Sequence, residues 1–269
     1  MDIENKVIAI TGAASGIGEA VARELAKRGA KLALSDINLN ALNLVADDLN
    51  ALAVECDATS EDSIQSFIVK AESLGPIDLY FSNAGFGTGE PSHVASADNT
   101  VWEKNWQLHV MSHVYASRAL LPKMIERGSG YLVNVASAAG LLAQIGDAAY
   151  SATKHAAVSL AESLAIGHGD DGVKVSVVCP QYVNTNILSL SEEDRARDLP
   201  GVITPAQCAE TIADGIESET FMILPHPEVQ AYSEKRVQDK KGWLDNMRYF
   251  RRTLLNEKGS VDFKKIFKL

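Results

Sequence analysis

The 269-residue sequence has little cysteine, proline or aromatic character: three Cys, eight Pro, and 6% Phe, Trp and Tyr. Cys56, Cys179 and Cys208 lie far apart, with no CxxC spacing and an odd count. That excludes a disulfide-stapled scaffold and a cysteine zinc site, and leads us to expect a reducing compartment, the cytoplasm. No apolar run approaches the roughly 18 residues a membrane span requires, and the segment from Met1 to Lys6 lacks the apolar stretch of a secretory signal, so no membrane association is expected. Positive charge is scarce as well, 25 Lys and Arg against 35 Asp and Glu, net −10. Nucleic acid is therefore not an expected partner, because phosphate contacts need clustered cations. His93, His113, His155, His168 and His226 show no paired ligand spacing, so no metal is expected and these residues read as surface or packing histidines.

What is present is ordinary globular usage, 46% apolar and 22% charged, with no repeat and no Pro/Ser-rich linker. Short apolar runs alternate with amphipathic stretches. Val7–Thr11, Lys31–Asp36, Ala51–Cys56, Asp78–Ser82, Tyr131–Val135, Val173–Val178 and Phe221–Leu224 have the length and composition of strands covered on both faces. Gly18–Arg28, Ala41–Leu49, Ser60–Leu74, Trp102–Arg127, Ser151–Gly167 and Pro205–Glu217 read as helices between them. Such alternation predicts an α/β fold: one doubly wound Rossmann-type domain over residues 1–224, with a parallel sheet of about seven strands. Two long polar connections, residues 86–100 and 184–203, have the character of substrate loops. Residues 225–269 differ: 11 Lys and Arg against 6 Asp and Glu, with Tyr232, Trp243, Tyr249, Phe250, Phe263 and Phe267. A nucleic-acid or membrane arm is one reading of this tail. We expect instead a helical extension that packs on the acidic body or on a neighbouring subunit, because opposite charge is already present in the chain.

Thr11-Gly-Ala-Ala-Ser-Gly-Ile-Gly18 falls where the first strand gives way to the first helix. A helix start offers unpaired N–H groups and partial positive charge to a pyrophosphate. Gly12 permits the tight turn, Gly16 the close approach of phosphate and Gly18 helix–strand packing, with Ser15 and Ile17 completing the cradle. Asp36, ending the second strand, can accept hydrogen bonds from ribose hydroxyls and would repel a 2′-phosphate. No Lys or Arg lies among Ala13, Ala14, Ser15, Ile37 and Asn38 to neutralise one. NAD is the expected cofactor.

Tyr150 and Lys154 stand one helical turn apart, on one face. A free phenol titrates near 10, and a neighbouring ammonium would lower that value, making the pair an expected proton donor and acceptor. Ser137 lies where the fifth strand runs out into small residues, at the carboxyl edge where ligands of open α/β sheets bind.

Together these motifs resemble the short-chain dehydrogenase/reductase family, of the compact single-domain type, over about residues 3–224. Asp57 after the third strand, Asn83-Ala-Gly85 after the fourth and Pro180-Gln-Tyr-Val-Asn-Thr185 after the sixth add to the likeness. The resemblance implies Tyr150 as general acid/base, Ser137 as the anchor of the substrate oxygen, and Lys154 as the group that depresses the Tyr150 pKa and holds the nicotinamide ribose. It implies Asp57 and Ala58 at adenine, Asn83 and Ala84 along the cofactor channel, and Pro180, Val183 and Thr185 at the nicotinamide. The implied activity is NAD(H)-dependent interconversion of a secondary alcohol and a ketone, by a homodimer or homotetramer built on the long helices. A dinucleotide-binding sensor or structural subunit without catalysis is the alternative. Two positions depart from the family pattern. His109 stands where an asparagine usually helps hold a water near the lysine, leaving a proton relay or a helix-packing role open. Gln181 replaces a glycine and is read as a selectivity residue. Leu141, Leu142, Gln144, Gln181, Tyr182, Ile187 and Leu188 are candidate pocket lining, which suits a medium-sized hydrophobic or aromatic substrate.

Overall fold

The computed structural model describes residues 1–90, 92–188 and 190–267. Pro91 and Ser189, in the two expected substrate loops, and Lys268 and Leu269, at the end of the tail, lie outside the described residues. The elements run β1 (Val7–Thr11), α1 (Gly16–Lys27), β2 (Lys31–Asp36), α2 (Leu39–Leu49), β3 (Leu52–Glu55), α3 (Glu61–Ala71), β4 (Leu79–Ser82), α4 (Asn99–Trp106), α5 (Ser112–Glu126), β5 (Gly130–Val135), α6 (Ala148–His168) and β6 (Val173–Val178). There follow β7 (Tyr182–Val183), α7 (Glu192–Arg195), β8 (Val202–Ile203), α8 (Pro205–Glu217), β9 (Met222–Ile223), α9 (Glu228–Gln238) and α10 (Lys240–Leu254).

Seven strands form one sheet in the order β3-β2-β1-β4-β5-β6-β9, with every pairing parallel. Its central strands carry buried side chains on both faces, as their continuous apolar runs require. α1, α2 and α8 bury Val21, Leu25, Leu42, Val45, Ile212 and Ile216 on one face. α3, α5 and α6 bury Ile64, Phe67, Leu120, Met124, Ala157 and Ala161 on the other. The strand order reverses between β1 and β4, so the crevice beyond their carboxyl ends is where such sheets accept ligands.

Two features differ from the periodicity reading. The helix expected over residues 102–127 is α4 and α5 joined by a π-helical turn at Gln107–Met111. Such widened turns are rare and recur at functional sites. A two-stranded parallel ladder, β7 with β8, closes the long connection after β6. Short α7 is capped by Ser191, whose hydroxyl accepts the Asp194 N–H.

After β9 the chain forms α9 and α10 and then turns back. Arg236 donates to the Leu141 carbonyl at 2.7 Å and lies over the Trp243 ring. Phe267 is buried edge-on against Tyr182, in a small cluster with Leu190 and Leu199. No helix among the described residues is long and apolar enough to cross a membrane.

Candidate active site

The first βα turn is built as its glycines predict. Gly12 and Gly16 have φ of +65° and +62°, in the left-handed region that favours glycine. A Cβ at Gly18 would lie 2.1 Å from the Gly12 carbonyl oxygen, so no larger residue fits there. Asn83, at the end of β4, locks the turn: its Nδ2 donates to the carbonyls of Thr11 and Gly12, both at 3.0 Å. The Thr11 hydroxyl accepts the Asn83 and Ala84 N–H groups in return. Ser15 begins α1 without a side-chain cap, which leaves the first-turn N–H groups facing the crevice. Asp36 is held by two backbone donors, Ala14 N–H on Oδ2 at 3.1 Å and Asn38 N–H on Oδ1 at 3.0 Å.

These groups open onto a cleft of about 630 Å³ that runs along the carboxyl edge of the sheet. Gly12, Ser15, Gly16, Ile17, Asp36, Asp57 and Ala58 line one end, and Asn83, Ala84, Tyr150, Lys154, Pro180, Val183 and Thr185 line the rest. Of the expected site residues, Gly18 and Ser137 do not line it. Gly18 acts through packing, and Ser137 is buried beside the Tyr150 hydroxyl, where its Oγ accepts the Ala139 N–H at 3.1 Å.

Tyr150 and Lys154 rise from the first turns of α6, whose start is capped by Asp147. The Lys154 ammonium is buried, donates to the Val135 carbonyl at 3.0 Å and lies 5.5 Å from the Tyr150 ring centroid. The spacing led us to expect an acidified phenol, and the structure corrects this. Burial pushes Tyr150 up to about 12; the Ser137 hydrogen bond opposes the rise, and Asp147 and Cys179 add to it. Burial also brings Lys154 down to about 8. Burial is the largest cause, and the Lys154 ammonium is directed to a backbone carbonyl rather than to the phenol. Burial thus favours the protonated phenol. Among the described residues no group of three or more His, Cys, Asp or Glu could hold a metal.

A sequence profile of the family described as short chain dehydrogenase matches residues 6–196. The chain belongs to the short-chain dehydrogenase/reductase family. Meso-2,3-butanediol dehydrogenase of Serratia marcescens is 36% identical over 191 residues, which are 70% of this chain and 75% of that one. Cyclohexanol dehydrogenase of Acinetobacter sp. (strain SE19) is 32% identical over 195 residues, 70% of this chain and 77% of that one. A solved short-chain dehydrogenase/reductase from Burkholderia phymatum, in complex with NAD, has a TM-score of 0.81 at 28% identity, covering 90% of this chain and 96% of that one. The protein is accordingly an oxidoreductase of this family.

The departures from the short-chain dehydrogenase pattern can now be placed. His109 is fully buried in the π turn, edge-on to Tyr150 with ring centroids 5.4 Å apart. Its Nε2 accepts the Phe86 N–H at 3.2 Å, so Nδ1 carries the proton and faces Thr153 Oγ1 at 3.1 Å. Both ring nitrogens are engaged by structure, and burial, with the Lys154 charge, holds the ring well below its usual pKa. His109 therefore positions a loop and a helix, and its nitrogens are not free for a relay to Lys154. Gln181 lines the cleft, as does Ile187, while Tyr182 and Leu188 pack with Phe267 and Leu141 packs on the α5–α6 side of the sheet. Phe86, Gly87 and Leu108 complete the wall, and Asp147 stands behind it. Phe86 and Gly87 belong to the expected substrate loop 86–100, whereas no motif pointed to Leu108 or Asp147. The acidic residue three positions before Tyr150 was the available signal, as a helix cap.

Proposed function

We propose that the protein is an NAD(H)-dependent oxidoreductase that interconverts a secondary alcohol and a ketone, with Tyr150 as general acid/base. The observation that carries the reading is the convergence of Tyr150 and Lys154, with Ser137 buried beside the Tyr150 hydroxyl, on a cleft whose other end is the glycine turn and Asp36. The turn fits a dinucleotide on its own geometry, since Gly12 and Gly16 take the left-handed backbone and Ser15 makes no side-chain cap, so the first-turn N–H groups of α1 stay available to phosphate. Gly12, Ser15, Gly16 and Ile17 would hold the pyrophosphate, and Asp36 the adenosine ribose. Asp57 and Ala58 would hold adenine, and Lys154, Pro180, Val183 and Thr185 the nicotinamide riboside. Two relatives are named for secondary alcohols, and a structural neighbour is described with NAD.

When bound, the nicotinamide accepts or supplies hydride. The chain's own residues handle oxygen and proton. Ser137 orients the substrate oxygen, and Tyr150 gives its proton to a ketone oxygen or takes one from an alcohol. Because burial keeps the phenol protonated, ketone reduction runs at neutral pH and alcohol oxidation gains as pH rises. Phe86, Leu108 and Ile187, with Gln181 as a polar contact, favour a medium-sized hydrophobic or aromatic substrate. Three unpaired, buried cysteines support a reducing, cytoplasmic setting, and the α4–α5 and α6 helices are the surfaces we assign to a homodimer or homotetramer.

The test is the absorbance of reduced nicotinamide across a panel of secondary alcohols and ketones, with Tyr150→Phe as control. Turnover that falls by roughly 100-fold or more in the variant supports the proposal. Dinucleotide binding without turnover supports a sensor, and turnover unchanged in the variant removes Tyr150 from the chemistry.

A further inference from the structure

Asp147 is 5% exposed, and each of its oxygens has a separate task. Oδ1 accepts the Tyr150 N–H at 3.1 Å, capping α6. Oδ2 accepts two N–H groups from a segment some 60 residues earlier, Thr88 at 3.1 Å and Gly89 at 2.8 Å. The joint is reinforced on both sides. Glu90 N–H donates to the Gly146 carbonyl at 2.9 Å, and Ala148 N–H donates to Glu90 Oε2 at 3.3 Å. Two residues before Thr88, the Phe86 N–H is held by His109. Phe86 and Gly87, between these anchors, line the cleft beside Tyr150.

The residue type says more than a cap would require. Ser, Thr or Asn serve equally well at a helix start. Holding two amide donors on one oxygen while the other oxygen caps the helix needs a carboxylate, with lone pairs on both atoms and the strength of charge-assisted bonds. The joint is closed from outside: a Cβ at Gly146, whose φ is +85°, would lie 3.0–3.1 Å from Val261 and Phe263. The segment cannot withdraw without breaking bonds at the start of the catalytic helix.

We infer that Asp147 is a positioning residue that fastens segment 86–90, one wall of the substrate cleft, to the helix turn that presents Tyr150. The inference rests on the reading of the cleft as an alcohol/ketone site. It makes substrate recognition and phenol placement depend on one carboxylate. The groups facing Tyr150 are Ser137 after β5, His109 in the π turn, Cys179 after β6, and Asp147 and Lys154 of α6 with its cap. Of these Asp147 is the one acidic carboxylate, and its charge raises the Tyr150 pKa.

The test compares wild type with Asp147→Asn and Asp147→Ser. Both retain a good cap, but the asparagine turns a donor toward Thr88 and Gly89, and the serine is too short to reach them. In the free protein, amide exchange of residues 86–90 accelerates by about tenfold while residues 148–152 stay within about threefold of wild type. With an alcohol that wild type oxidises, KM rises by about tenfold while KM for NAD stays within about twofold. The alkaline limb of kcat/KM moves to lower pH, because a negative charge beside the phenol is gone. Wild-type exchange in 86–90, an unchanged alcohol KM, or an equal rise in both KM values overturns the inference. If wild type oxidises no alcohol with NAD, the proposed activity falls, and the exchange comparison alone still decides whether Asp147 holds the segment. Should Asp147→Asn not fold, Asp147→Ser carries the same readouts.

Discussion

In the proposed site, Asp36 is the side chain that would select between two cofactors that differ by one phosphate. Its carboxylate is fixed by the Ala14 and Asn38 N–H groups, so it cannot swing away from an incoming ligand. Ribose hydroxyls donate to such a group, whereas a 2′-phosphate brings further negative charge against it, with no nearby cation among residues 13–15, 37 and 38. Asp36→Ala is expected to lower the ratio of kcat/KM for NAD over NADP by about tenfold or more, since it removes a bond to one cofactor and a repulsion from the other. Steady-state rates with both dinucleotides measure it, and an unchanged ratio would take Asp36 out of the selection. At this scale the sequence was informative wherever chemistry is local. Asp36, Tyr150 and Lys154 could be expected at the cleft from their neighbours, and they line it. The protonation of Tyr150 could not, because it depends on how much water the folded cleft excludes. The task of His109 could not either, because its partners Phe86 and Thr153 lie 23 and 44 residues away.

The glycine turn and α1 act as one element, held from below by Asn83 of the β4 end. Gly18 is the point where helix and turn touch, its missing Cβ facing the Gly12 oxygen at 2.1 Å and Asn83 Nδ2 at 2.5 Å. Gly18→Ala forces both apart, at a cost of about 1–3 kcal/mol of stability by overpacking. Because Gly12 belongs to the proposed phosphate cradle, dinucleotide affinity is expected to drop by more than about tenfold, at 1.4 kcal/mol per decade. Calorimetric titration with NAD checks this, and near-wild-type affinity would show that the turn tolerates the shift. Among elements, the sequence located β1, β2, β6 and α8 to the residue, because apolar runs and glycine or proline stops mark them. The π turn was invisible, since a widened turn, here holding the buried His109, leaves almost no trace in periodicity. The β7–β8 ladder was missed for another reason: two-residue strands have no pattern to detect.

Across the whole molecule, charge is divided between an acidic body and a basic tail, and Lys264 meets Asp194 at 3.8 Å where the tail crosses the loop after β6. Exposed pairs of this kind contribute little, and buried titratable groups govern how stability depends on pH. His113 is the clearest of them. It lies 1% exposed on α5, and burial, together with the Lys154 charge, brings it down to about 3. In the unfolded chain the same ring titrates near 6.5. Between these values the unfolded state binds a proton that the native state refuses, so stability is complete above about 6.5 and is lost as pH falls. At about pH 4.5 the loss from His113 alone is roughly 2–3 kcal/mol, from 1.36 kcal/mol per unit. His113→Leu keeps an apolar side chain of similar bulk against the sheet and removes the proton. The variant is expected to match or exceed wild type in denaturant midpoint at neutral pH and to retain most of that stability at about pH 4.5, where wild type weakens. His109 and His226, also held low by burial, leave a residual slope in the variant. Parallel slopes for the two proteins between about pH 6.5 and 4.5 would mean that His113 does not set the acid limit, and would move the search to His109, whose Nε2 once protonated can no longer accept the Phe86 N–H.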